Sequence, residues 1–259
     1  MTTLFVSAYK DIGRENWPSC YKRPRSKYTD MFCKMATAFH EAGHKLIAFV
    51  DQDVQEECQA KLSFAQEFLP ISSVTTFLDK YEAIEQAIID SAEYKASVPS
   101  SRKLNPEHVF GAYNLINHSK VNMLVAAKKL YPDYEYYMWT DFGCTDFPTK
   151  ELKINEVCQP DKVVYAVKTR LPPKPISARQ MLTTETIYVM GSEFVAHRNV
   201  VDNYEQCYER TLLALQRQGI SDDDQNVVYQ MTYMFPHLFQ LVFVGDWFSM
   251  FRRVLNKTA

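Results

Sequence analysis

Tyr136-Tyr137-Met138-Trp139-Thr140-Asp141-Phe142-Gly143-Cys144-Thr145-Asp146-Phe147 sets the reading of the whole chain. Its first half is an aromatic, apolar run suited to a buried strand. It then stops abruptly at an acid, a glycine and a polar turn. In an open α/β sheet, ligand-contacting groups lie just beyond the carboxyl ends of central strands. Core packing gives no reason for a carboxylate there, so Asp141 is taken as the centre of a site.

Upstream, Thr3–Tyr9 reads as a first buried strand running into the polar loop Lys10-Asp11-Ile12-Gly13-Arg14, a natural edge for a nucleotide or phosphate. A helix follows from about Ser26 to Glu41, with Tyr28, Met31, Phe32, Met35 and Phe39 on one stripe and Gly43 placed to stop it. Lys45–Asp51 is a second strand. Residues 53–100 are expected to be mostly helical, and Pro106 to start one long helix reaching about Tyr131, with Lys120 near its inward face. Downstream, Val163–Val167 is a strand and Leu171–Pro175 a stiff loop. Thr186–Met190 is expected to be a strand entering a turn at Gly191-Ser192-Glu193. A helix ends at Gly219, Ser221–Gln225 caps the next one with acids, and Leu238–Val244 is the last strand. Strands alternating with helices predict an α/β fold with a mostly parallel open sheet and helices on both faces.

The chain has 259 residues, 46% hydrophobic and 14% aromatic, enough for a substantial core. A formal charge of −2 provides no global basic field for nucleic acid. Arg14, Lys22, Arg23, Arg25 and Lys27 form a local basic cluster that can meet a phosphate or simply be solvated. Cys20, Cys33, Cys58, Cys144, Cys158 and Cys207 include no C-x-x-C pair, which suits reduced thiols in the cytosol. With no leader-like segment and no apolar run near the ~20 residues of a membrane span, a cytoplasmic location is expected.

Two short motifs need weighing. His40-Glu41-Ala42-Gly43-His44 matches the zinc-protease pattern H-E-x-x-H, whose chemistry needs both histidines on one continuing helix face and a third ligand beyond. The glycine and the immediate strand argue that the helix ends inside the motif; Glu56, Glu57 and Glu67 are nominal third ligands without a supporting pattern. Asp141-Phe142-Gly143 spells the magnesium tripeptide of protein kinases, but the glycine-rich loop, strand lysine and H-R-D loop of a kinase are all missing.

What remains is a strand-end acid, a basic loop, a late Gly-Ser-Glu and an acidic helix start. Through Phe5–Arg14, Tyr136–Gly143 and Asp223–Tyr229 the sequence resembles the GT-A glycosyltransferases, and among them the bacterial HtrL/YibB-like family. The resemblance implies one domain over residues 1–259, with a nucleotide-binding half to about 147 and an acceptor-side half from about 148. It also implies a nucleoside-diphosphate sugar donor (a UDP-sugar first among them), a divalent Mn2+ or Mg2+ on the diphosphate, and transfer to a glycan or other hydroxyl acceptor. Such enzymes usually carry D-x-D, whereas here Trp139 stands two residues before Asp141. If Asp141 is the last acid of the motif, metal binding survives through one carboxylate with diphosphate and water oxygens. Asp146 and His237 are candidate additional ligands.

By the same resemblance Tyr9, Asp11 and Arg14 lie near the nucleotide, with Asp141 and Gly143. Lys120 pairs with a phosphate, or is an ordinary snorkelling lysine. Gly191, Ser192 and Glu193 lie against the donor sugar, and Asp223, Asp224 and Gln225 approach the acceptor, where one carboxylate takes its proton or binds sugar. Two alternatives stay open: a zinc metalloprotease using His40, Glu41 and His44, and a nucleotide-sugar-binding protein without turnover.

Overall fold

A computed structural model describes residues 2–18, 22–184 and 186–257; Cys20 lies outside them. Seven strands form one sheet in the order β3-β2-β1-β4-β6-β5-β7. These are β1 (Thr3–Tyr9), β2 (Leu46–Val50), β3 (Glu67–Pro70), β4 (Tyr136–Thr140), β5 (Val163–Val167), β6 (Val189–His197) and β7 (Phe239–Phe243). β1 pairs in parallel with β2 and β4, β2 with β3, and β5 with β7, while β6 runs antiparallel to both neighbours. Six strands therefore point one way, and the carboxyl ends of β1 and β4 open on the same rim.

Among the described residues, ten α-helical segments accompany them: α1 (Arg25–Glu41), α2 (Gln52–Lys61), α3 (Phe77–Asp90), α4 (Ala92–Ser97), α5 (Gly111–His118), α6 (Lys120–Leu130), α7 (Ile154–Val157), α8 (Ala178–Met181), α9 (Val201–Gln216) and α10 (Asp224–Met234). The two faces of the sheet follow from the period of two in the strands. On β1, Leu4 and Val6 join one core with residues of α3, α6, α9 and α10, and Phe5 joins the other with Phe32, Met35 and Phe39 of α1 and Val54 of α2. Burying each such side chain contributes about 1.5–3 kcal/mol, which is why the uninterrupted apolar runs become central strands. The expected α/β architecture is the one observed.

Three local expectations need correction. The segment 53–100 contains an edge strand, β3, where Lys45 pairs with Glu67 at 2.8 Å. The long helix expected from Pro106 is a short 3-10 turn followed by α5 and α6, which meet at Ser119. Gly191, Ser192 and Glu193 lie inside β6 rather than in a turn, at the point where its register with β5 shifts.

Candidate functional site

The rim at the carboxyl ends of β1 and β4 holds a cleft of about 350 Å3, within the usual range for a small-molecule site. Tyr9 and Lys10 come from the end of β1, Arg14 from the loop beyond it, Arg23 from the approach to α1, and Lys27 and Tyr28 from its first turn. The far wall is Tyr113, Asn117 and Lys120; Trp139, Asp141 and Gly143 form the end of β4. Aromatic packing shapes the near wall, with the Tyr9 ring 5.2 Å from both Tyr28 and Phe142. Arg14 lies among three rings, 4.9 Å from Trp17, 5.3 Å from Tyr113 and 5.5 Å from Tyr28.

Lys120 is the hub. Its position on the inward side of α6 buries it, and its ammonium donates to Asp224 Oδ2 at 2.9 Å and to the Gly191 carbonyl at 2.9 Å, and pairs with Asp141 Oδ1 at 3.1 Å. Burial alone would lower its pKa, but Asp141 and Asp224 outweigh burial and hold it above its ordinary value. The charge therefore stays on. Asp141 is also held by Trp139, whose Nε1 donates to the same Oδ1 at 2.7 Å. Burial pushes the Asp141 carboxyl up, against the pull of Lys120 and the Trp139 N–H. Gly191 is required for this contact, because a Cβ there would lie 2.1 Å from Asp224 Oδ2.

Asp224 opens α10, with the side chain of Asp223 as N-cap accepting from the Gln225 backbone N at 3.1 Å. The loop is anchored through Ser221, whose hydroxyl donates to Glu85 at 2.5 Å and accepts from Asn114 at 2.9 Å. Asp223 and Gln225 line a second hollow of about 270 Å3 with Arg102, Glu107 and Asp222. Burial, with the neighbouring charges of Asp222 and Asp224, holds the Asp223 carboxyl well above the usual carboxylate range. Asp222 is pushed up to about 7, by burial and against the pull of Arg102. Lys120 lines the cleft and is bound to Asp224, whose neighbours Asp223 and Gln225 line the second hollow.

Other expected residues fall elsewhere. Glu193 is fully buried beside the Cys144 thiol at 3.5 Å and accepts from the Met250 N–H at 3.4 Å, away from the cleft lining. Burial and the charge of Asp146 raise it to about 8. Ser192 is buried and absent from the cleft lining, and its carbonyl accepts from Asp141 N at 2.9 Å, which ties the strand end in place. Asp11 is exposed and closes its own loop by accepting from Gly13 N at 2.8 Å. His237 precedes β7, which runs parallel to β4, so it lies on the opposite rim from Asp141 and cannot share a metal with it. Asp146 accepts from the Arg252 N–H at 3.1 Å. His44 lies beyond α1 with Nε2 2.8 Å from the Thr149 carbonyl, while the His40 ring stacks on Phe64 at 4.0 Å. The helix does end inside H-E-x-x-H, and among the described residues no three His, Cys, Asp or Glu side chains gather into a metal-holding group.

By themselves, the protein's donors here do not make a shell for a divalent Mn2+ or Mg2+, which takes about six oxygen ligands. Asp141 has its Oδ1 engaged by an ammonium and an indole N–H, which leaves Oδ2, and Asp224 is bound to the same ammonium. Asp146 and His237 face other partners. Sequence reasoning missed Lys120 as the organiser; its inward position on a helix was the available signal.

A family model described as "Bacterial protein of unknown function (HtrL_YibB)" matches residues 1–256. The chain belongs to the HtrL_YibB family. Protein HtrL of Escherichia coli (strain K12) is 22% identical over 274 residues, covering 99% of this chain and 94% of that protein. Among solved structures, a glycosyltransferase involved in the glycosylation of the major capsid of PBCV-1 superposes with a TM-score of 0.45 at 9% identity, over 93% of this chain and 81% of that one. A 4-diphosphocytidyl-2C-methyl-D-erythritol synthase from Anaerococcus prevotii DSM 20548 does so with 0.41 at 11%, over 95% and 90%. Neither likeness bears on the function of this HtrL_YibB chain.

Proposed function

We propose that this HtrL_YibB chain is a glycosyltransferase that takes a sugar from a nucleoside-diphosphate donor, a UDP-sugar first among them, to a carbohydrate or other hydroxyl acceptor. The observation that carries the reading is Lys120, buried between Asp141 and Asp224, which lines a basic, aromatic cleft and is joined through Asp224 to the acidic helix start that lines a second hollow. Tyr9, Tyr28 and Phe142 give the cleft apolar surface for a base or ribose. Arg14, Arg23 and Lys27 supply positive charge where a diphosphate would leave.

The acceptor hydroxyl enters from the second hollow. Its proton passes to Asp223 as its oxygen bonds to the anomeric carbon, and the bond from that carbon to the diphosphate breaks with the electron pair leaving on phosphate. Among the described residues Asp223 accepts only from the neutral Gln225, whereas Asp224 is paired with the Lys120 ammonium, so Asp223 is the one assigned to the task. A base must be deprotonated to act, and its pKa is raised, so the acid limb of the pH–rate profile lies above the range of an ordinary carboxylate.

The test is release of nucleoside diphosphate from a panel of nucleotide sugars, with and without sugar acceptors. The wild type is expected to turn over at least one donor, and Asp223→Asn to slow it by roughly 10²–10⁴. Tight donor binding with no release under any acceptor would replace this reading by that of a donor-binding protein. No binding of any nucleotide would remove it.

A further inference from the structure

We infer that the cleft neutralises a nucleoside diphosphate with its own side-chain cations, Arg14, Arg23 and Lys27, and needs no divalent metal. This rests on the transferase reading but goes beyond it, because it names what holds the diphosphate.

The first observation is a surplus of positive charge. Asp141 is the acid in the cleft lining, and it is already matched by Lys120. Lys10 leans on Asp79 at 3.9 Å. Among the described residues, none of Arg14, Arg23 and Lys27 has a carboxylate within 4.0 Å, although all three line the cleft. Arg25, from the same run of sequence, is by contrast consumed by Asp53 and Glu57. Cations left unpaired on a concave wall attract anions, and a guanidinium fork matches phosphate oxygens in pairs.

The second observation concerns Arg14. Its guanidinium is boxed by Trp17, Tyr28 and Tyr113, which leaves it little choice of direction. One nitrogen donates to the Tyr28 hydroxyl, while Nε is buried with no partner among the described residues. A buried donor without an acceptor is costly unless something arrives to accept. A phosphate oxygen from the cleft would do so.

Third, the place where a cation would normally bridge carboxylate and diphosphate is filled by the protein. Lys120 sits against Asp141, and Trp139, two residues earlier, presents an N–H to that acid instead of a second carboxylate. Asp141 is thereby a counter-ion to Lys120 rather than a metal ligand. Bringing Mn2+ to its free oxygen would set a double charge beside a buried ammonium.

The experiment is calorimetric titration of the full chain with UDP, GDP, CDP and ADP, each in EDTA and in Mn2+. At least one is expected to bind in EDTA, with a dissociation constant within about threefold of that in Mn2+. Arg23 is half-buried and Lys27 exposed, and neither has a carboxylate partner among the described residues, so the double variant Arg23→Ala/Lys27→Ala is expected to fold, which its unfolding midpoint checks; it should weaken binding by roughly tenfold or more and reduce its dependence on salt. Binding that requires Mn2+ would overturn the inference while leaving the site reading intact. Metal-free binding unaffected by the double variant would overturn the role given to these cations. Failure of every nucleotide in both conditions would instead sink the transferase reading on which the inference stands.

Discussion

Two buried carboxylate clusters lie within one strand pairing of each other, since Thr140, just before Asp141, is the register partner of Glu193. Around Asp141 a lysine is buried with the acids, so the group keeps its charges and presents one of them to a cleft. Around Glu193 there is a thiol, a backbone N–H and a second acid, Asp146, and the carboxyl responds by holding its proton to about pH 8. A carboxylate beside a buried lysine and partly open to the cleft belongs to a charged site, whereas the fully buried Glu193, with no cation beside it among the described residues, is a neutral packing element. A counter-ion and a difference in exposure separate them.

Removing that counter-ion should have the largest effect. Lys120→Met leaves Asp141 and Asp224 facing each other without compensation, and is expected to destabilise by about 3–5 kcal/mol in urea unfolding at neutral pH. An unchanged midpoint would mean that the two clusters do not differ in the way described.

Glu193 gives the converse. Its folded pKa, about 8, is above its unfolded value, so the folded state binds the extra proton. Stability is then greatest below the unfolded pKa and falls as pH rises toward 8. Glu193→Gln removes this slope: close to wild type at pH 5, it should be more stable by up to about 4 kcal/mol at pH 8 or above, from 1.36 kcal/mol per pKa unit. Parallel stability–pH curves for variant and wild type would contradict a proton held at Glu193.

Gly191→Ala sharpens the comparison from the backbone side. A methyl group 2.1 Å from Asp224 Oδ2 must push the carboxylate off Lys120. Overpacking of this kind costs about 1–3 kcal/mol, and loss of turnover should exceed loss of stability. Smallest of all, His44→Ala should shift stability by about 1 kcal/mol or less and leave any zinc content unchanged, since it loses one exposed hydrogen bond to Thr149.

Much of the scaffold was legible because central strands must be apolar on both faces. Thr3–Tyr9, Tyr136–Thr140 and Val163–Val167 were bounded to the residue by polar neighbours. β3 was not legible, since three half-buried residues and an exposed Pro70 at a sheet edge leave almost no pattern. The Gly-Ser-Glu of β6 read as a turn because polar residues inside a strand are rare; here they are tolerated where the register slips and the strand end meets the cluster around Lys120. The site showed the same division. Asp141, Asp223 and Arg14 were visible from their place at element ends. Lys120 was visible only as an inward-facing oddity, and the separation of His237 and Glu193 from the cleft depended on topology that no local motif encodes.

The cleft beside Asp141 is proposed to receive the diphosphate of a nucleotide sugar. A crystal structure of the protein with UDP, or with whichever nucleotide binds in the titration, tests it most directly. The account predicts phosphate oxygens within hydrogen-bond reach, about 2.7–3.2 Å, of Arg14 together with Arg23 or Lys27, and Lys120 still seated between Asp141 and Asp224. A diphosphate bound away from these cations, or Asp141 released from Lys120 to hold a metal ion, would contradict it.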